Sequence, residues 1–193
     1  MSQCDFQATE SGISPISHPG MAGGNYLASG IEHNERGAPT ASGEVHARMN
    51  EKRLRKLDPL KQRRDLFLQE GDPRATLAVI AWGSVAGVAR EAVRLAWHEG
   101  IDVKLLVPKL LYPVAEEVYA EFLKGVAAGL VVEQSHQGQL YRVLRMFVDL
   151  PRGLAPFARS GSLPILPSAI VERLRERVLE LQAGREAELE PAG

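Results

Sequence analysis

The sequence predicts an α/β fold in three layers, with helices on both faces of a mostly parallel open sheet. Three observations carry this. Residues 77–82 are apolar throughout and free of charge, as a strand buried on both faces must be. Gly83-Ser84 then turns the chain into a segment where Val85, Val88, Ala89, Ala92 and Leu95 recur at helical spacing. Strand and helix alternate again after that, at the spacing of right-handed crossovers in a parallel sheet.

The remaining elements follow in order. Gly100 ends the first of these helices, and IDVKLLV at 101–107 reads as a second apolar strand stopped by Pro108. An apolar crossover through Leu110, Leu111, Tyr112 and Pro113 leads to a helix with Val114, Val118, Phe122 and Leu123 on its inner side. On that helix Glu116, Glu117, Glu121 and Lys124 face water. Gly125 and Gly129 bracket its end, and LVVEQ at 130–134 is the third strand. Gly138 permits a sharp turn into a helix with Leu140, Val143, Leu144 and Phe147 on its apolar face. Residues 151–167 are a connection holding a short edge strand at 163–166. Pro167-Ser168 opens the last helix, which buries Ile170, Val171, Leu174, Val178 and Leu181.

The chain before this alternation has another character. Residues 1–47 are rich in glycine and proline and show no sustained period, and such a segment in a compact protein is functional or lies against a partner. Arg48 to Arg64 holds eight basic residues against Glu51 and Asp58. It predicts a short helix to about Leu57, broken at Asp58-Pro59 and resumed to Phe67. Its charge is a solvated face, or a surface that meets an anionic group or an acidic subunit. The domain reading is therefore an extended segment with a basic helix at 1–71, an α/β domain at 72–183 and a flexible tail at 184–193.

Composition narrows the function. The 193 residues carry a formal net charge of -1, which gives no basic excess for a phosphate backbone, so nucleic acid is not an expected partner. The single Cys4 cannot form an internal disulfide or hold an iron-sulfur cluster by itself. No apolar run is long enough to span a membrane and no signal peptide is visible, so the expected compartment is the cytoplasm. No G-x-S-x-G, H-E-x-x-H or cysteine pair occurs, and no residue is read as catalytic or as a metal ligand.

Two groups of residues are candidates for contacts with an anion or a partner chain. One is the expected carboxyl edge of the sheet, where Gly83 and Ser84 would meet Glu133, Gln137 and Gln139, since open α/β sheets bind ligands there. GSVAG matches neither phosphate-loop nor dinucleotide fingerprints, yet a helix N-terminus with Ser84 as cap or donor could hold an anion. The bland alternative is that Glu133 and the glutamines satisfy loop amides. The other group is Glu32, His33 and Asn34 with Glu35, which either pin their loop by hydrogen bonds or touch a substrate. Being consecutive, they converge poorly on a metal. His18 and His46 read as isolated.

Several strings, taken in order, resemble a known family. GISP, GIEHNERGAP, KRLRKL, VIAWGSVAGVAREAV, LYP and VVEQSHQGQLYRVLR are similar to the C-terminal portion of the alpha subunit of 2-oxoacid:ferredoxin oxidoreductases, in particular the 2-oxoglutarate type. The resemblance runs from about Thr9 to Ala169. It implies a transketolase C-terminal-like domain at 72–182, with residues 9–50 like the end of the preceding thiamine-binding domain and its linker. It also implies a role in subunit assembly and at the edge of a thiamine diphosphate active site. Thiamine diphosphate, magnesium and iron-sulfur clusters would then belong to partner chains, with coenzyme A as a further partner of a dimer or hetero-oligomer.

On that resemblance the chain is expected to be inactive by itself, because most of a thiamine-binding domain is not found in it. Two departures bear on substrate handling. Ile16 stands where the family commonly has an arginine after GISP, and isoleucine cannot pair with a carboxylate or phosphate. Asn34 stands where an aspartate is usual, which keeps the size and loses the charge. The competing reading is a non-catalytic, stand-alone module that assembles with partners or binds an anion or acyl-CoA.

Overall fold

The computed structural model describes residues 6–25 and 30–189, so Cys4 and the last residues of the tail lie outside the described residues. The chain divides into two compact units, residues 1–62 and 63–193.

In the first unit the main element is α1, Gly43–Arg55. Helix therefore begins inside the stretch read as aperiodic. Ser42 caps it, its hydroxyl accepting from the Val45 amide at 3.4 Å, and Glu44 complements the dipole in the first turn. Only Met49 and Lys52 of this helix are buried, so no apolar stripe announced it. Asp58-Pro59 does break the helix, and a 3-10 turn over Asp58–Gln62 follows. The GISP loop lies directly on α1. Gly12 has φ of 76°, and a Cβ there would sit 2.6 Å from the Lys52 carbonyl oxygen, so only glycine fits that approach. The Lys52 ammonium donates to the Ser14 hydroxyl from the same side.

The second unit is a five-stranded sheet built from β1 (Phe67–Glu70), β2 (Leu77–Ala81), β3 (Val103–Pro108), β4 (Ala128–Glu133) and β5 (Gly153–Ala158). Their order is β1-β3-β2-β4-β5, parallel except for β1, which runs antiparallel to β3. Helices α2 (Val85–His98) and α5 (Pro167–Leu189) cover one face, while α3 (Glu116–Leu123) and α4 (Gln139–Phe147) cover the other. This is the expected three-layer, mostly parallel open sheet. All residues of β2, β3 and β4 are buried, which is why these strands read as continuous apolar runs.

Several boundaries differ from the sequence reading. The helix expected to resume up to Phe67 is two short 3-10 turns, Asp58–Gln62 and Arg64–Leu66. Residues 67–70 form an edge strand that the sequence did not announce: Phe67 pairs with Pro108 and packs edge-to-face on Tyr119, with ring centroids 6.0 Å apart. The outer parallel strand is 153–158 and not 163–166, because Gly153 to Ala158 extend the register of β4 from Ala128 to Glu133. Gly129 does not close a helix. It lies inside β4, where a Cβ would come within 2.0 Å of the Ala78 carbonyl oxygen, so its bare backbone permits β2 and β4 to pair. On α2 the buried face is Val85, Ala89, Ala92, Val93 and Ala96, and Leu95 is exposed. Phe147, expected inside, is 40% exposed at the end of α4. Helix α5 buries Ile170, Val171 and Leu174, with Val178 and Leu181 partly covered, and continues through Gly184 to Leu189.

The Lys104 side chain is buried on β3, and it donates to the carbonyl oxygens of Pro73 at 2.8 Å and Lys124 at 3.2 Å. Burial pulls its pKa down from the usual lysine value, with Asp72 opposing that shift. The ammonium thereby ties the chain before β2 to the C-terminal end of α3.

Candidate functional site

The strand order places a topological switch at β2 and β4. From β2 the chain crosses by α2 to β3 on one side, then returns by α3 past β2 to β4 on the other. The connections leaving β2 and β4 therefore diverge, and the crevice between them is the usual ligand position of such sheets. Gly83 and Ser84 follow β2, and Glu133, Gln137 and Gln139 follow β4, so all five share one edge of the sheet.

The two helix N-termini at this edge are treated differently. Glu133 is fully buried, and its carboxylate accepts from the amides of Leu140 at 3.0 Å and Tyr141 at 3.2 Å, in the first turn of α4. The Ser135 hydroxyl accepts from the amides of Gly138 at 3.0 Å and Gln139 at 3.4 Å. Four successive donors of the α4 terminus are thus used by the chain itself, and a negative side chain already sits where an anion would bind. Gly138 makes this approach possible: it has φ of 67°, and a Cβ there would meet the Pro156 side chain at 3.2 Å and the Glu133 carboxylate at 3.7 Å. Glu133 therefore acts on the loop amides, the blander of the two readings open to the sequence. Gln137 and Gln139 have exposed side chains.

The α2 terminus has no such plug. Gly83 turns with φ of 59°, Ser84 is already helical, and its hydroxyl makes no capping bond, contrary to the capping role expected for it. No acidic residue lies in the first turn of α2. Gly83 and Ser84 are both exposed. Next to them the Trp82 indole Nε1 is shielded and has no hydrogen-bond partner among the described residues.

The other candidate residues belong to the first unit. Glu32 receives a two-pronged ion pair from Arg53 at 2.6 and 2.8 Å and a contact from the His46 Nδ1 at 3.2 Å. The Arg53 hydrogen bonds, aided by the His33 amide and His46 and opposed by burial, hold the Glu32 carboxyl at a pKa of about 2. His46 is therefore not isolated. His33 is buried and stacks on Phe6, with ring centroids 4.4 Å apart. The Asn34 Oδ1 accepts from the amides of Arg36 at 3.0 Å and Ala38 at 3.1 Å, an Asx turn that an aspartate would make equally well. Glu35 pairs with Arg48 at 3.0 Å. Sequence reasoning missed Arg53 and Arg48, because their partners Glu32 and Glu35 are distant in sequence and leave no local signal, and it missed Ser135, whose bonds to the Gly138 and Gln139 amides are local.

Among the described residues no group of three His, Cys, Asp or Glu could hold a metal, and no helix is long and apolar enough to cross a membrane. What fold and edge define is an α/β scaffold domain with one sealed and one open helix terminus at its switch point. Residues 75–156 match the family model of pyruvate:ferredoxin oxidoreductase core domain II. The alpha subunit of a 2-oxoacid:ferredoxin oxidoreductase from Aeropyrum pernix is 32% identical over 148 residues, 75% of this chain and 23% of that protein. The corresponding subunit from Saccharolobus solfataricus is 31% identical over 147 residues, 73% of this chain and 22% of that protein. In a solved 2-oxoglutarate:ferredoxin oxidoreductase from Magnetococcus marinus, with 2-oxoglutarate, coenzyme A and succinyl-CoA bound, the likeness covers 92% of this chain and 31% of that one. The TM-score is 0.82 and the identity 34%.

Sequence and fold together relate the chain to an alpha-subunit domain of 2-oxoacid:ferredoxin oxidoreductases. The chain spans less than a third of the length of these relatives. Thiamine diphosphate and its divalent metal, which the resemblance implies for the assembled enzyme, do not fit the described residues. The buried carboxylate at the sheet edge is committed to the α4 amides, and no metal-binding cluster accompanies it.

Proposed function

We propose that this chain serves as the C-terminal module of the alpha subunit of a 2-oxoacid:ferredoxin oxidoreductase, of the 2-oxoglutarate type. In this role it supports subunit assembly and borders a thiamine diphosphate site whose cofactor, magnesium and iron-sulfur clusters are held by partner chains. The likeness to the Magnetococcus marinus enzyme over 92% of the chain carries the reading, because it takes in the N-terminal loops as well as the sheet domain. Glu32, His33 and Asn34 build a rigid loop suited to an interface, while Gln137 and Gln139 present free amide groups to a neighbour. The open α2 terminus at Gly83 and Ser84 is the place where an anionic group such as a coenzyme A phosphate would be met.

Affinity purification of the tagged chain from its native host tests the assembly. A thiamine-binding partner and an iron-sulfur chain should be retained in fixed ratio, and recovery of the chain without either refutes the proposal. The absence of a capping bond at Ser84 favours a second reading, a stand-alone anion or acyl-CoA binder. Calorimetric titration of the chain alone with coenzyme A separates the two, since only the second requires heat of binding without partners.

A further inference from the structure

We infer that the groove beside α3 is a docking site for a basic amphipathic helix of a partner polypeptide. The groove has a volume of about 580 Å³ and runs along α3 to the connection between α4 and β5. Its apolar walls come from Ala120, Leu123, Phe147, Val148 and Pro151. Phe147 closes an otherwise inward-facing helix stripe yet is 40% exposed, so this stripe runs out into the groove. An exposed aromatic ring continuous with a concave apolar surface marks an interaction site, and an amphipathic helix laying its apolar face into the groove is an occupant that fits it.

The rim selects the sign of the occupant. Of the residues lining the groove, Glu116, Glu117, Glu121 and Asp149 are acidic and Lys124 is basic. Glu121 is matched by Arg64, at 2.6 and 2.9 Å, and Glu117 lies in the field of the same guanidinium. Asp149 is exposed and has no ion pair among the described residues. An apolar helix face flanked by lysine or arginine would bury Phe147 and bring cations to this rim, whereas an acidic helix would be repelled. The eight residues of α3 give a groove of about 12 Å, which is two turns of a docked helix. The site is separate from the switch-point crevice, and the inference does not depend on the oxidoreductase reading.

The test uses the full chain and a fluorescein-labelled, fourteen-residue Leu/Lys amphipathic peptide, with a Leu/Glu peptide of the same pattern as its opposite. Anisotropy should give saturable binding of the Leu/Lys peptide only. The charge-reversal variant Glu117→Lys with Asp149→Lys should weaken it at least tenfold. A control with the same change in net charge, Glu91→Lys with Glu172→Lys on the other face of the sheet, should leave it unaltered. Phe147→Ser, which keeps every charge, should also weaken binding at least fivefold, with circular dichroism confirming the fold of each variant. Three results overturn the inference: unaltered binding in the Glu117/Asp149 variant, equal loss in the control, or indifference to Phe147→Ser. Binding of the Leu/Glu peptide as tightly as the Leu/Lys peptide does so as well.

Discussion

Glu133 offers the most searching test of how the sheet edge is held. Its side chain is fully buried, and its two oxygens accept from the Leu140 and Tyr141 amides at 3.0 and 3.2 Å. A hydrogen bond to a charged acceptor contributes about 1.5–3 kcal/mol, so the pair supplies about 3–6 kcal/mol before the cost of taking a carboxylate out of water. Glu133→Gln keeps the shape and one acceptor but turns an NH2 group toward the second amide. Relief of the buried charge offsets part of that loss, leaving a destabilisation of about 1–3 kcal/mol. Glu133→Ala removes both acceptors and leaves the first turn of α4 uncapped, at about 3–5 kcal/mol. Urea denaturation of the two variants measures these values, and amide exchange should accelerate at Leu140 and Tyr141 before it does in β2. If both variants unfold within about 0.5 kcal/mol of the parent with unchanged exchange at those amides, the carboxylate does not hold α4 and the reasoning fails.

Other expectations follow from single contacts. Gly129→Ala should destabilise the sheet unit by about 3 kcal/mol or more, since its Cβ would meet the Ala78 carbonyl oxygen at 2.0 Å; a melting temperature equal to the parent's would refute this. Ser84→Ala should leave thermal stability within about 0.5 kcal/mol, because the hydroxyl makes no capping bond, so any effect on anion binding would be separable from folding. Glu32 has a folded pKa of about 2 against an ordinary 4.5, so its contribution is complete above about pH 4.5 and disappears as pH falls toward 2. Because Arg53 and His46 are half-exposed, that contribution is about 1–2 kcal/mol in place of the full shift, and Glu32→Gln should flatten the acid limb of a denaturation profile followed in the first unit. Arg64→Ala should leave the melting temperature close to the parent's, as its pair with Glu121 is exposed on both sides; a large drop would contradict this.

The sequence by itself determined the α/β class, the three central strands and the helices around them, because burial on both faces writes itself as unbroken apolar runs. It also placed Gly83, Ser84, Glu133, Gln137 and Gln139 at one sheet edge, since parallel strands put all their carboxyl ends on the same side. The ordered strings from GISP to VVEQSHQGQLYRVLR were enough to point to the family. Where it went astray, the deciding contact was nonlocal. Residues 67–70 become strand only because β3 offers an edge, and 153–158 only because β4 does, while neither segment carries an alternating pattern of its own. Gly129 looks like a helix stop until the Ala78 carbonyl is seen against it. Tertiary structure alone decided the chemistry of the two helix termini: Glu133 reaches the α4 amides because Gly138 folds the chain back, while Ser84, a capping residue by type, is already helical and leaves α2 open. Residue type states what a side chain can bond, and only the fold determines which groups come within reach.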